Sequence, residues 1–140
     1  MNIGDVVINV KNLFDELFST EDNDGTQYHW NVTQGLKIAA RRGDLLTISL
    51  SQMGATLERI RTQYDGMNEV YAMDTDLTKP LLFIQRDAGE QLVDGWHRVF
   101  KAAYLGVDEL SAYVLTPEEG AECLIFTLPP GQGKDWGQCR

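Results

Sequence analysis

The stretch QLVDGWHRVFKAAYLG, residues 91–106, decides how this chain folds. A short apolar strand ends at Val93, the pair Asp94-Gly95 turns the chain sharply, and a helix then runs to Gly106, a residue type that commonly ends helices. Within the helix the apolar residues recur at steps of three and four, which predicts one buried face. These residues are Trp96, Val99, Phe100, Ala103 and Tyr104.

The same stretch predicts a site for an anion. A strand that feeds a tight turn and then a helix directs unpaired main-chain N–H groups, and the positive end of the helix dipole, at one point in space. His97 and Arg98 add two side chains suited to anions at that point. Helix N-termini of this kind commonly bind phosphate or carboxylate groups.

Composition narrows the class of protein. The chain has 140 residues and 43% hydrophobic residues, which suits one globular domain with a core of its own. A formal net charge of -9 argues against broad, charge-driven binding to nucleic acid or to acidic membranes. We expect no membrane span and no secretory signal, and therefore a cytoplasmic protein. Cys123 and Cys139 have the spacing neither of a disulfide framework nor of a metal site.

Hydrophobic periodicity predicts the remaining elements. The predicted strands span residues 5–10, 44–50, 81–84, 91–93, 110–115 and 123–128. The predicted helices span residues 12–18, 32–42 and 55–64, the last continuing over 67–73, with Gly43 ending the second. Residues 19–27, 85–90 and 116–120 are predicted to be loops or turns, and residues 129–140 a tail rich in Pro and Gly near its start.

The order of these elements resembles the ParB/sulfiredoxin superfamily. The resemblance covers residues 44–116, about half of the chain, and it lies in three motifs: Lys79-Pro80 leading into a hydrophobic strand, then LVDGWHR at 92–98, then the strand LSAYVL at 110–115. In that family the turn reads Asp-Gly-x-His-Arg in many small members and Gly-Gly-Cys-His-Arg in sulfiredoxin. The implied fold class is α+β, a mixed sheet with flanking helices in a single domain.

The resemblance implies that the turn binds the phosphates of a nucleotide, ATP or CTP, with Mg²⁺ as a further expected cofactor. Lys79 belongs to the matching Lys-Pro strand start, Gly95 permits close approach of the backbone, and Trp96 contributes its N–H. His97 and Arg98 bind the phosphates, with His97 also a candidate catalytic residue. Asp94 fixes the turn, helps to place a metal or acts as a base.

Two departures from the family restrict the chemistry. Trp96 stands where sulfiredoxin has its reactive cysteine, and an indole cannot attack a sulfinic phosphate, so sulfinic acid reduction is not expected. The helix-turn-helix and dimerisation domains that follow the core in partition ParB are not found after it in this sequence. The resemblance is therefore to the small stand-alone members found in plasmids and phages and to the kinase-like members.

We expect three segments: an N-terminal extension over residues 1–43 packed on the core, the ParB/sulfiredoxin-like core over 44–128, and the tail over 129–140. The first functional hypothesis is a nucleotide-binding domain that hydrolyses the nucleotide or transfers its phosphate, with Asp94, Glu58 or Glu69 as the base. The alternatives are a DNA-binding protein or nuclease of a mobile element, and a non-enzymatic module that binds or inhibits another protein through residues 1–43.

Overall fold

The computed structural model describes residues 2–3, 6–7 and 15–130. The described strands are β1 (Asn2–Ile3), β2 (Val6–Val7), β3 (Leu17–Glu21), β4 (Gln27–Asn31), β5 (Leu46–Ser49), β6 (Leu81–Arg86), β7 (Gly89–Asp94), β8 (Glu109–Leu115) and β9 (Leu124–Leu128). The described helices are α1 (Val32–Arg42), α2 (Leu57–Gln63), α3 (Glu69–Met73), α4 (Trp96–Leu105) and α5 (Pro117–Cys123). The described part of the chain is thus a mixture of α and β structure, as predicted.

Two sheets organise these elements. The four-stranded sheet has the order β5-β8-β6-β7 and is mixed, because β8 runs parallel to β6 whereas the other two pairs are antiparallel. The three-stranded sheet, β3-β4-β9, is antiparallel throughout. Strands β1 and β2 form a separate antiparallel pair. Helix α4 makes the crossover from β7 to β8.

The core lies on both faces of the four-stranded sheet, because neighbouring residues of β6 point to opposite sides. Leu81 and Phe83 pack with residues of α2, α3 and α4, including Ile60 and Phe100. Leu82 and Ile84 pack on the other face with residues of α1, α5 and β4. All four of these β6 side chains are buried, which explains why this strand reads as an unbroken apolar run in the sequence.

Helices α1 and α4 confirm the sequence prediction at both ends. Helix α1 begins after Asn31, whose side chain accepts the N–H of Gln34, and it ends at Gly43 with φ +83°. Helix α4 ends at Gly106 with φ +76°. The predicted strands at 44–50, 81–84, 91–93, 110–115 and 123–128 are also present, with ends shifted by a few residues.

The prediction for residues 12–27 is wrong in part, because the loop is confirmed over residues 22–26 but not at its two ends. Leu17 and Phe18 lie in β3 rather than in a helix, and β3 and β4 extend into the predicted loop. Pairing with β4 decides this, since Phe18 lies opposite Trp30, and the buried Thr20 accepts the Trp30 Nε1–H at 3.0 Å. Residues 12–14 of the predicted helix, most of the predicted strand at 5–10, and residues 131–140 of the predicted tail lie outside the described residues.

The predicted turn at 116–120 is also wrong, because these residues begin helix α5. Thr116 accepts the N–H of Glu119 through its hydroxyl, and the Glu119 carboxylate accepts the N–H of Thr116, which is a capping box. Pro117 occupies a first-turn position, where a missing N–H costs nothing. The predicted helix at 55–64 is shorter than expected, over Leu57–Gln63, and the structure starts a separate helix at Glu69.

None of the helices in the described part of the chain combines the length and the apolar character that crossing a bilayer requires.

Residues of the predicted N-terminal extension pair with the end of the core, since β4 pairs with β9.

We predict that Gly120→Ala destabilises the protein. A Cβ at Gly120 would lie 2.6 Å from Ile84 Cγ2, so α5 or β6 must shift. Helix propensity alone would favour alanine by about 0.5–1 kcal/mol, whereas overpacking costs about 1–3 kcal/mol. We therefore expect a net loss of roughly 1–2 kcal/mol in the free energy of unfolding by urea. Glu122→Ala, on an exposed position of the same helix, is the control, and a stabilised Gly120→Ala protein would contradict the packing.

Candidate functional site

The turn between β7 and α4 requires glycine at position 95. Gly95 is the N-cap of α4 with φ +112°, a conformation that other residues rarely adopt. A Cβ at this position would also collide with Leu81 Cδ2. Its carbonyl accepts the N–H of Val99 at 2.9 Å, which closes the first turn of the helix. Among the described residues no side chain caps this N-terminus.

Arg98 holds the turn against the start of β6. Its Nη1 donates to the carbonyls of Lys79 and Pro80 at 2.9 and 2.7 Å, and its Nη2 donates to Asp94 Oδ2 at 2.9 Å. The side chains of Arg98 and Asp94 are only 12% and 19% exposed, so water screens this ion pair less than it screens a surface pair. Arg98 therefore holds the turn in position through three hydrogen bonds within the protein. The sequence prediction had assigned these guanidinium donors to phosphate.

His97 joins the turn to the segment between α2 and α3. Its Nε2 accepts the N–H of Asn68 at 3.2 Å, and the ring also hydrogen-bonds the main chain of Gly66. Partial burial lowers the pKa of His97 below its ordinary value, although the hydrogen bond with Gly66 opposes this. Because Nε2 accepts the N–H of Asn68, this nitrogen carries no proton, and the lowered pKa favours the same neutral form of the ring. It packs edge-on against Tyr64 and Tyr71, with ring centroids 5.6 and 4.9 Å away.

A cavity of about 210 Å³, the turn cavity, opens at this end of α4. Its wall consists of the turn itself, aromatic side chains from α3 and the end of α2, and residues at the start of β3. The lining residues are Glu16, Leu17, Phe18, Val32, Tyr64, Tyr71, Val93, Asp94, Gly95, Trp96 and His97. The Trp96 indole stacks on the Tyr64 ring at 5.6 Å and 16°. The uncapped helix end and an aromatic wall therefore face the same cavity.

Two carboxylates line the turn cavity. Partial burial raises the pKa of Glu16 above its ordinary value, the negative charge of Asp94 raises it further, and the positive charge of Arg98 opposes both effects. Glu16 is placed here by main-chain hydrogen bonding, since its carbonyl accepts the N–H of Val32 and its N–H donates to Thr33 Oγ1 at 2.7 Å. Because Arg98 balances Asp94, Glu16 carries the excess negative charge when it is ionised.

No group of three or more His, Cys, Asp or Glu side chains suited to a metal ion occurs among the residues that the structure describes. Glu16 and Asp94 are nevertheless hard oxygen donors at one cavity. Mg²⁺ is commonly held by one or two carboxylates together with substrate phosphates and water, so this donor set fits Mg²⁺ as part of a chelate.

The structure brings four predicted site residues to one cavity wall, namely Asp94, Gly95, Trp96 and His97. The main-chain carbonyl of Lys79 accepts a hydrogen bond from Arg98, whereas the Lys79 side chain is exposed on the turn before β6. The alternative bases lie elsewhere: Glu58 is exposed on α2, and the hydrogen bond from Arg61 lowers the pKa of Glu69. Sequence reasoning missed Glu16 and Tyr71 because no local pattern marks either residue.

Comparisons of the chain with protein-family models, curated proteins and solved structures find no match.

We predict that Arg98→Lys destabilises the protein by about 1–3 kcal/mol, because lysine cannot replace the planar set of donors and leaves partly buried acceptors unpaired. Urea unfolding measures the loss. Arg59→Lys is the matched control, since Arg59 is exposed and donates one hydrogen bond of 3.3 Å, to Gly54. Equal stabilities of the two variants would show that Arg98 does not brace the turn.

The raised pKa of Glu16 predicts a pH-dependent effect of Glu16→Gln. A carboxyl whose pKa is raised in the folded state adds stability below its ordinary pKa of 4.5, and this stability is lost as the pH rises through the folded value. At neutral pH the ionised Glu16 therefore costs stability, and Glu16→Gln should unfold at a higher urea concentration than the original protein. The difference should shrink as the pH falls through the folded value and should be small below pH 4.5. A gap that is independent of pH, or that Glu118→Gln reproduces, would refute this assignment.

Proposed function

We propose that this chain is a nucleotide-binding domain of the ParB/sulfiredoxin type, which binds ATP or CTP as the Mg²⁺ complex in the turn cavity. The observation that carries the proposal is the N-terminus of α4, which has no side-chain cap among the described residues and opens on an aromatic-walled cavity. The order of β6, β7, α4 and β8, with β6 parallel to β8, supports the resemblance drawn from the sequence.

The phosphates would bind at the helix end. The first N–H groups of an α-helix have no partners within the helix, and the positive end of its dipole lies there. Gly95 lines the turn cavity at this helix end, and its left-handed conformation sets the direction in which the first turn of α4 starts. The ring of His97, whose hydrogen bonds go to the main chain of Gly66 and Asn68, then acts as a positioned wall rather than as a positive charge.

The base would stack on the aromatic wall. Tyr64, Tyr71 and Phe18 line the turn cavity, and aromatic side chains bind bases through their π-faces with little dependence on sequence. Tyr71 is 56% exposed, which leaves much of its ring open to a ligand. The ring of Tyr71 would thus bind the base, and the nearby N-terminus of α4 would bind the phosphates of the same nucleotide.

The carboxylates favour the Mg²⁺ complex over the free nucleotide. Without a cation, the charges of Glu16 and Asp94 would repel a triphosphate. Mg²⁺ supplies neutralisation of the phosphate charge when it is bound, and Glu16 and Asp94 are the residues that would hold it. If the bound nucleotide is hydrolysed or transfers its γ-phosphate, whichever of these two carboxylates does not coordinate Mg²⁺ would accept the proton.

Thiol chemistry is not part of the proposal. Cys123 is buried on α5, donates its S–H to the Gly120 carbonyl at 3.3 Å, and burial raises the pKa of its thiol to about 11. A thiol held in the protonated form is a poor nucleophile. Trp96 occupies the turn where sulfiredoxin carries its cysteine, which further separates this chain from sulfinic acid reduction.

Calorimetric titration with ATP and CTP, each with and without Mg²⁺, tests the proposal. We expect binding that requires Mg²⁺ and that weakens about tenfold in Tyr71→Ala, because loss of one base–aromatic stack costs about 1–3 kcal/mol. Tyr104→Ala is the matched control, since Tyr104 is 60% exposed but lies at the other end of α4. A folded protein that gives no heat with either nucleotide would overturn the proposal.

A further inference from the structure

A second cavity of about 420 Å³, the sheet cavity, lies on the α2 and α4 side of the four-stranded sheet. Its volume falls within the range of roughly 300–1,000 Å³ that small-molecule sites occupy. The floor and inner wall are apolar and come from four different elements, with Ile48 on β5, Phe83 on β6, Leu92 on β7 and Val99 on α4. These strands and this helix belong to the packed core, so the floor is rigid.

The loop before α2 keeps the sheet cavity open. Gly54 has φ +68°, a conformation that residues with a side chain rarely adopt, so a larger residue there would be strained. Ala55 follows it with a minimal side chain and also lines the cavity. Two small residues, one of them in a left-handed conformation, thus stand where a longer side chain would fill the space.

The polar lining of the sheet cavity favours a cation. Glu21 at the end of β3 and Glu90 on β7 are exposed side chains that line it from two different hairpins. The cation among the lining residues is Arg59, whose Nη1 already donates to the Gly54 carbonyl at 3.3 Å. Two carboxylates against one arginine, on a chain of net charge -9, attract a positive group and disfavour an acid.

We propose that the sheet cavity binds a small hydrophobic amine, with its apolar body on Phe83, Leu92 and Val99 and its ammonium group facing Glu21 and Glu90. This inference is independent of nucleotide binding, because the phosphate site lies at the N-terminus of α4 and its carboxylates are Glu16 and Asp94. Trp96 lines both cavities. Occupation of one cavity therefore alters the surroundings of the indole that bounds the other.

Titration with phenylbutylamine, and with phenylbutyrate as the counterpart of opposite charge, tests this site. We expect the amine to bind and the carboxylate to bind roughly two- to fivefold more weakly, a difference typical of exposed ion pairs. The double variant Glu21→Gln/Glu90→Gln should weaken the amine roughly five- to tenfold, by the same reasoning. Glu118→Gln/Glu122→Gln, on exposed positions of α5, is the matched control and should leave amine binding unchanged.

Methyl NMR locates the bound amine without relying on a variant that must fold. The resonances of Ile48 and Leu92 should shift on addition of amine, whereas that of Val32, which lines the turn cavity, should stay in place. Ile48→Trp, which fills the sheet cavity from its edge, should abolish the binding. Equal binding of amine and carboxylate, shifts confined to Val32, or no binding to the folded protein would each overturn the proposal.

Discussion

The contacts of the Arg98 guanidinium are the constraint on which the rest of the site depends. One planar group joins the last residue of β7, Asp94, to the carbonyls that precede β6. The register of the hairpin shifts between Leu82 and Phe83, so that Leu82 lies opposite Asp94. Arg98 therefore fixes where β7 ends relative to β6. The direction of α4, and with it the position of the turn cavity, follows from that point.

This arrangement separates the structural and the binding roles of the turn. In the sequence, His97 and Arg98 look equivalent, as two basic residues at a helix start. In the fold, Arg98 turns inward to Asp94, while His97 turns toward Gly66 and Asn68, and partial burial lowers its pKa. The positive character of the site then resides in main-chain N–H groups, which need no charged side chain and are already oriented by the helix.

The sequence predicted those elements that are stabilised by interactions between residues close together in the chain. Helices α1 and α4 were predictable because a buried face and a terminal glycine both lie within the element itself. Helix α5 carried its signal too, in the capping box of Thr116 and Glu119, but the neighbouring Pro117 and Gly120 indicate a turn to any reading that weighs glycine and proline first. Strand β3 had no such signal. Its conformation comes from pairing with β4, and this pairing also brings Glu16 to the cavity.

Trp96 gives the turn a surface that a cysteine at the same position would not provide. An indole has no nucleophilic sulfur, but it has two faces and a large apolar area. Here the side chain is half-buried, stacks on Tyr64 and lines both the turn cavity and the sheet cavity. A cysteine at this position would be too small to stack on Tyr64 across the same gap. Trp96 thus forms part of the wall of both cavities, one flanked by the N-terminus of α4 and the other by the side chains of Glu21 and Glu90.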